Sequence, residues 1–262
     1  MHHNFKKQFG QNFLKSKQTI DKLISSLGIK PGDSVIEVGP GDGRVTEALL
    51  STSAQVTAVE IDRDLMPLLE EKFASNEDLQ LINQSILDFV PPKGKYKVVG
   101  SLPYNLSKKI IRKFIEEENK PEIMSFIIQK EVAQDYAANA PRGTFLSNFA
   151  DIFYEVKYIG KVKKEYFVPK PRVDGGILQF TLKLEPEINP KDYEKFSKFL
   201  KNCFRQPRKK LSKVLKSIYK EKDWNTIFES TTIEPNARAA NLTLEEFIEI
   251  SSNFTSLSPI TK

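Results

Sequence analysis

Glu37-Val38-Gly39-Pro40-Gly41-Asp42-Gly43 follows a short apolar stretch, and its alternate glycines let backbone amides approach a ligand closely. The spacing is G-x-G-x-G, not the G-x-G-x-x-G of a dinucleotide fingerprint. Glu60 lies 21 residues after Gly39, at the end of a second apolar stretch. A carboxylate there can accept hydrogen bonds from both ribose hydroxyls of an adenosine cofactor. A nucleotide-type ligand is therefore expected, with a dinucleotide as the nearest alternative. A second group, Ser101-Leu102-Pro103-Tyr104, suits a different task. The lone pair of an exocyclic base amine is delocalised into the ring, so methylating it is difficult. Acceptors aimed at the amine hydrogens localise the pair: here the Ser101 oxygen and the carbonyl of Leu102 or Pro103. Tyr104 can stack on the base, which is worth roughly 1–3 kcal/mol. Read without the glycine turn and Glu60, the same four residues make a turn with a buried tyrosine.

The elements that must position these groups alternate. Ser34 to Val38, Gln55 to Glu60, Leu79 to Ile82, Tyr96 to Val99 and Ile123 to Ile128 read as strands. Arg44 to Leu50 and Leu65 to Phe73 have helical spacing. This order predicts an α/β architecture with a mainly parallel sheet. Tyr154 to Val162 and Gly176 to Leu184 read as two further strands joined by a proline-rich loop, an antiparallel addition at the sheet's end. Glu185 to Pro190 marks a boundary, with Asn189 as N-cap and Pro190 at the first helical position. Two domains are thus expected, 1–185 and 189–262. In the second, Tyr193, Phe196, Phe199, Leu200, Cys203 and Phe204 trace one helical face, and Leu211, Val214, Leu215, Ile218 and Tyr219 another. Thr243 and Glu246 fit a capping box before a last amphipathic helix.

Charge is segregated along the 262 residues. The net charge is +6, yet residues 191–222 alone carry +9, leaving −3 for the rest. Arg205, Arg208, Lys209, Lys210 and Lys213 are the candidates to meet a polyphosphate. Lys6, Lys7, Lys15 and Lys17 form a smaller basic cluster in the N-terminal arm. With 39% hydrophobic residues the chain has material for a core, and no apolar run reaches the ~18 residues of a membrane span. One cysteine and two histidines, His2 and His3, exclude a disulfide framework and leave no metal or histidine-triad chemistry. The polar start carries no apolar signal core, so a cytoplasmic protein is expected.

The same motifs, in the same order, resemble the rRNA adenine N6,N6-dimethyltransferases of KsgA type, which share a catalytic fold with the erythromycin-resistance methyltransferases. The resemblance covers Gln11-Asn12-Phe13-Leu14, the Gly39 loop, Glu60-Ile61-Asp62, residues 100–107, Gln129 to Ala133 and Phe167 to Asp174. It implies a Rossmann-like class I methyltransferase sheet with a small C-terminal helical domain, and S-adenosyl-L-methionine as cofactor. Asn12 and Leu14 would cover that cofactor, Gly39 and Gly41 lie against it, and Glu60 hold its ribose. Tyr104 and Phe167 would sandwich an extruded adenine. Ile233 to Ala240 and the basic run Arg208-Lys209-Lys210 resemble the ribosome-biogenesis branch. The implied substrate is a pair of adjacent adenosines in the terminal hairpin loop of small-subunit rRNA. The implied partner is the pre-30S subunit, bound by a monomer without metal or membrane.

Two positions depart from the family. Ser101 stands where asparagine is usual, and Ser85 where an aspartate usually contacts the cofactor adenine. A serine oxygen still accepts a hydrogen bond at 101, whereas Ser85 loses a charge-assisted one. Asp88 is the carboxylate nearest in sequence to replace it. Two alternatives stay open: a catalytically weakened ribosome-assembly factor on this scaffold, and a large-subunit rRNA methyltransferase of the erythromycin-resistance type.

Overall fold

The computed structural model describes residues 12–254 apart from Pro235. His2, His3, Lys6, Lys7, Gln11 and Pro235 of the motifs above lie outside the described residues. In chain order the elements are β1 (Phe13–Leu14), α1 (Lys17–Ser25), β2 (Ser34–Val38), α2 (Arg44–Leu50), β3 (Gln55–Glu60), α3 (Met66–Lys72) and β4 (Leu79–Asn83). There follow β5 (Lys97–Ser101), α4 (Ser107–Glu116), β6 (Ile123–Gln129), α5 (Lys130–Tyr136), α6 (Phe145–Asp151), β7 (Tyr154–Val162), β8 (Phe167–Val168) and β9 (Gly175–Leu182). Four helices complete the chain: α7 (Tyr193–Cys203), α8 (Leu211–Ile218), α9 (Trp224–Glu229) and α10 (Leu244–Phe254).

Seven strands form one sheet in the order β4-β3-β2-β5-β6-β9-β7. The pairs β2–β3, β3–β4, β2–β5 and β5–β6 are parallel, and β6–β9 is antiparallel, with Phe126 opposite Leu178. The expected parallel sheet with an antiparallel end is what forms. Its central strands are continuous apolar runs because helices cover both faces: Val35, Ile36, Val98, Val99, Phe126 and Ile127 are fully buried. Strand order reverses between β2 and β5, so the loops leaving these two strands diverge and open a crevice at their carboxyl ends. Beneath it the core is aromatic, with the Phe126 ring 6.5 Å from Phe114 and 6.3 Å from Phe180. No helix among the described residues is long and apolar enough to cross a membrane.

The chain divides into two compact units, one of residues up to 133 with Lys157–Leu182, the other of Gln134–Val156 with residues from 183 onward. The division differs from the expected cut between 185 and 189, because 134–156 packs with the C-terminal helices. The cause is aromatic. Phe145 lies 6.5 Å from Phe204, and Phe149 and Phe153 lie 6.1 and 5.5 Å from Tyr193. Within this second unit Asn189 accepts from the Lys191 N–H at 3.1 Å, with Pro190 opening a 3-10 turn before α7. Thr243 and Glu246 close their reciprocal cap at 3.3 and 2.7 Å. Both helical faces are inward as their spacing predicts, with Phe196, Phe199, Leu200, Cys203, Leu211, Val214 and Leu215 buried.

Replacing the sealed Phe126 tests this core. Phe126→Ala should lower the unfolding free energy by about 3–5 kcal/mol in urea denaturation; a loss under about 1.5 kcal/mol would contradict the close packing between α4 and β9.

Candidate active site

β2 ends in the glycine turn, and three left-handed residues shape it: Gly39, Gly41 and Gly43 have φ of +67°, +59° and +77°. L-residues with side chains resist this conformation, which explains the alternate glycines. The Gly39 N–H bonds to the Val59 carbonyl at 2.9 Å, tying the turn to β3. A Cβ on Gly39 would meet no atom within 4 Å, so its backbone borders open space in the crevice. A Cβ on Gly41 would sit 2.8 Å from the Phe13 ring, so β1 closes directly over the turn.

The other wall comes from β5. Ser101 ends that strand opposite Ile127, and the Leu102 N–H continues to the Ile127 carbonyl at 2.9 Å. The Pro103 carbonyl accepts from Leu106 N–H at 3.0 Å, closing a tight turn into α4. The Pro103 carbonyl keeps a second lone pair, so both carbonyls named as amine acceptors remain candidates. The roof is a contact that no periodicity announces: β1 pairs antiparallel with β8, setting Leu14 opposite Phe167. Lys15 N–H adds a bond to Tyr166 O at 2.7 Å. Residues more than 150 positions apart are thereby brought together by backbone pairing.

As a result Asn12, Leu14, Gly39, Gly41, Glu60, Ser85, Ser101, Leu102, Pro103, Tyr104 and Phe167 all line one cavity. Every residue expected to serve the cofactor or the base is among them. Asp88 is not: it is exposed and borders a separate hollow with Lys109 and Arg112. The Ser85 Oγ accepts from Leu87 N–H at 3.2 Å and remains on the cavity wall, so the expected substitute carboxylate does not stand in for it. Sequence reasoning gave no role to Glu37, which is also among the residues that line the cavity; a carboxylate near the end of a buried strand, two residues before Gly39, was the available signal.

Electrostatics follow burial. Glu60 accepts backbone N–H bonds from Asp62 at 2.9 Å on one oxygen and from Gly41 at 3.2 Å on the other. A carboxylate accepts about four hydrogen bonds, so capacity remains for two ribose hydroxyls. Burial raises its pKa against those bonds. Glu37 is pushed up to about 8 by burial, with only the Thr46 hydroxyl, at 2.6 Å, donating to it among the described residues. The Tyr104 hydroxyl is buried without a hydrogen-bond partner among the described residues, and burial raises it to about 12. The open backbone at Gly39 and the residual acceptors of Glu60 fit an adenosine cofactor. Among the described residues no cluster of His, Cys, Asp and Glu could hold a metal ion.

In the second unit Arg205, Arg208, Lys209, Lys210 and Lys213 are all exposed, and none makes an ion pair among the described residues. Four of them border a shallow hollow at the start of α8 with Gln206 and Ser217. Lys210 also donates to the Asn236 side chain.

The chain matches the model of the ribosomal RNA adenine dimethylase family over residues 2–256. It is 34% identical to a ribosomal RNA small subunit methyltransferase A of Sulfurihydrogenibium sp., covering 94% of each chain. The protein of the same name from Pseudomonas aeruginosa is 32% identical, covering 97% of this chain and 96% of that one. Two solved structures show the same fold at a TM-score of 0.77. The 23S rRNA methyltransferase ErmE is 24% identical, over 92% of this chain and 98% of its own. A dimethyladenosine transferase from Plasmodium falciparum is 22% identical, over 93% and 98%. Family match and curated relatives agree with the cavity over nearly the whole length: the chain belongs to the ribosomal RNA adenine dimethylases and is an S-adenosylmethionine-dependent rRNA adenine dimethyltransferase.

Proposed function

We propose that the chain dimethylates N6 of two adjacent adenosines in the 3′-terminal hairpin loop of small-subunit rRNA, during ribosome biogenesis, as a cytoplasmic monomer acting on the pre-30S subunit. One observation carries the reading: the serine–aromatic turn after β5, Phe167 and the glycine–carboxylate wall of β2 and β3 share a single cavity. The relatives' names supply the small-subunit substrate. Loop bases are already unpaired, so extruding one costs less than in a duplex.

Bound S-adenosylmethionine supplies an electrophilic methyl group. Glu60 accepts from its ribose hydroxyls, Gly39 and Gly41 lie against it, and Asn12 and Leu14 cover it. Ser85 keeps a neutral acceptor where a charged one is usual, which weakens the hold on the adenine moiety. Ser101 Oγ and the carbonyl of Leu102 or Pro103 accept from the target amine; the Pro103 oxygen also holds the Leu106 N–H on one of its two lone pairs. Tyr104 and Phe167 hold the base between them. Catalysis comes from positioning and electrostatics. Tyr104 is no general base at neutral pH, because burial keeps its phenol protonated. None is needed if the amine loses its proton after attack, when the nitrogen is cationic. The second unit grips phosphates around the loop with Arg205, Arg208, Lys209, Lys210 and Lys213.

Incubation with labelled S-adenosylmethionine and undermethylated small subunits should yield dimethyladenosine at the 3′ end of the small-subunit rRNA. Label in large-subunit rRNA instead, or subunit binding without any label, would reject this substrate or the activity. Tyr104→Ala should lower kcat/KM roughly tenfold to a hundredfold by removing one stacking surface, worth about 1–3 kcal/mol. Cofactor affinity should stay nearly unchanged, and an unaltered kcat/KM would remove Tyr104 from the base site. RNA affinity should fall with salt, and Lys209→Ala should flatten the log–log slope by about 0.7–0.9. A slope indifferent to this change would take Lys209 out of phosphate contact.

A further inference from the structure

Glu37 is the buried group of the cavity to which the mechanism assigns no task. The residue is 1% exposed, and among the described residues its carboxyl receives one hydrogen bond, from Thr46 Oγ1 at 2.6 Å. The charged groups around it come from every neighbouring element: Glu60 at the end of β3, Asp42 in the glycine turn and Lys72 on α3. The first two disfavour a negative charge on Glu37. Lys72 is committed elsewhere, pairing with Glu47 at 3.2 Å and donating to the carbonyls of Asp42 and Gly43, each at 3.3 Å. Arg44, also on the cavity wall, pairs with Asp42 at 2.8 Å. No cation pairs with Glu37 among the described residues. A carboxyl in that position is favoured in its neutral form until a positive charge arrives from elsewhere.

We propose that Glu37 reads the charge of the methyl donor: it is a protonated acid in the free enzyme, releases its proton when the sulfonium donor binds, and takes it back when methyl transfer leaves a neutral thioether. The inference rests on S-adenosylmethionine being the cofactor. Donor and demethylated product share their amino, carboxyl and adenosine groups, so a difference between them isolates the charge on sulfur. On donor binding the carboxyl O–H bond breaks, the proton passes to buffer, and the electron pair stays on the carboxylate, whose charge offsets that of the sulfonium in the same cavity; nothing is oxidised or reduced. After transfer the carboxylate recovers a proton from solvent. The site thereby distinguishes fresh donor from spent product, and does so better as pH rises. Below the free acid's pKa of about 8, donor binding must expel a proton that product binding does not. The donor-to-product affinity ratio then climbs by up to about tenfold per pH unit and levels off above that value.

Calorimetric titration of the full chain with S-adenosylmethionine and with S-adenosylhomocysteine, in two buffers of different ionisation enthalpy at pH 7, counts the protons. The donor should release up to one proton more than the product, and the affinity ratio should rise between pH 6 and 8. Glu37→Gln keeps an acceptor for Thr46 but cannot titrate; it should erase both the extra proton and the pH dependence of the ratio. Thr46→Val keeps the carboxyl and removes its hydrogen bond, so the levelling-off should move to higher pH, which tests the idea even if Glu37→Gln does not fold. Equal proton counts for donor and product, or a pH-dependent ratio that persists in Glu37→Gln, would overturn the proposal while leaving the cofactor assignment intact. No binding heat from either ligand would bring down both.

Discussion

A carboxylate withdrawn from water must be given hydrogen bonds or an opposite charge, and two carboxylates at adjacent strand ends must be given both. Glu37 and Glu60 are in that position at the ends of β2 and β3, 1% and 5% exposed. The glycine turn satisfies part of the need: Gly41 and Asp62 direct backbone N–H groups to Glu60, and α2 offers Glu37 the Thr46 hydroxyl. Nearby cations pair with other acids, Lys72 with Glu47 and Arg44 with Asp42. The polar wall is therefore suited to a ligand carrying hydroxyl donors and positive charge. A sulfonium nucleoside has both.

The sheet makes this wall and the wall that follows β5 meet. Parallel strands deliver their carboxyl ends to one edge, and the reversal of order between β2 and β5 parts the loops there. On one side stands the glycine turn; on the other, Ser101 passes directly into the turn that starts α4. The roof depends on the two-residue ladder between β1 and β8, which sets Leu14 against Phe167 and lays Phe13 over Gly41. Side chains from distant parts of the sequence are thus held around one cavity. The aromatic part of the cavity wall is apolar, since Phe167 is buried and Tyr104 has its hydroxyl tucked inward near Gly175.

The second unit obeys a simpler rule. Its helices turn aromatic faces inward, and Arg205, Arg208, Lys209, Lys210 and Lys213 remain exposed. Phosphate contact is long-ranged and tolerant of side-chain position, so an array of exposed lysines and arginines suffices where the catalytic cavity needs exact placement.

Residue order alone determined the alternation of strands and helices, the glycine turn, the pairing of Gly39 with Glu60, the serine–aromatic turn and the basic helical end, because each is written in local spacing or composition. The family resemblance added Asn12, Leu14 and Phe167, whose own neighbours in sequence carry no sign of a site. Tertiary structure decided the rest. Two-residue strands show no periodicity, so only backbone pairing across the chain could set β1 against β8. Segment 134–156 joined the helical unit because its phenylalanines found Tyr193 and Phe204, contacts made at long range. Asp88 missed the cavity because a turn of three residues points its side chain elsewhere. Glu37 is made a weaker acid chiefly by burial, with Glu60 adding to the effect, and burial is a property of the folded whole, invisible to any reading of neighbours along the chain.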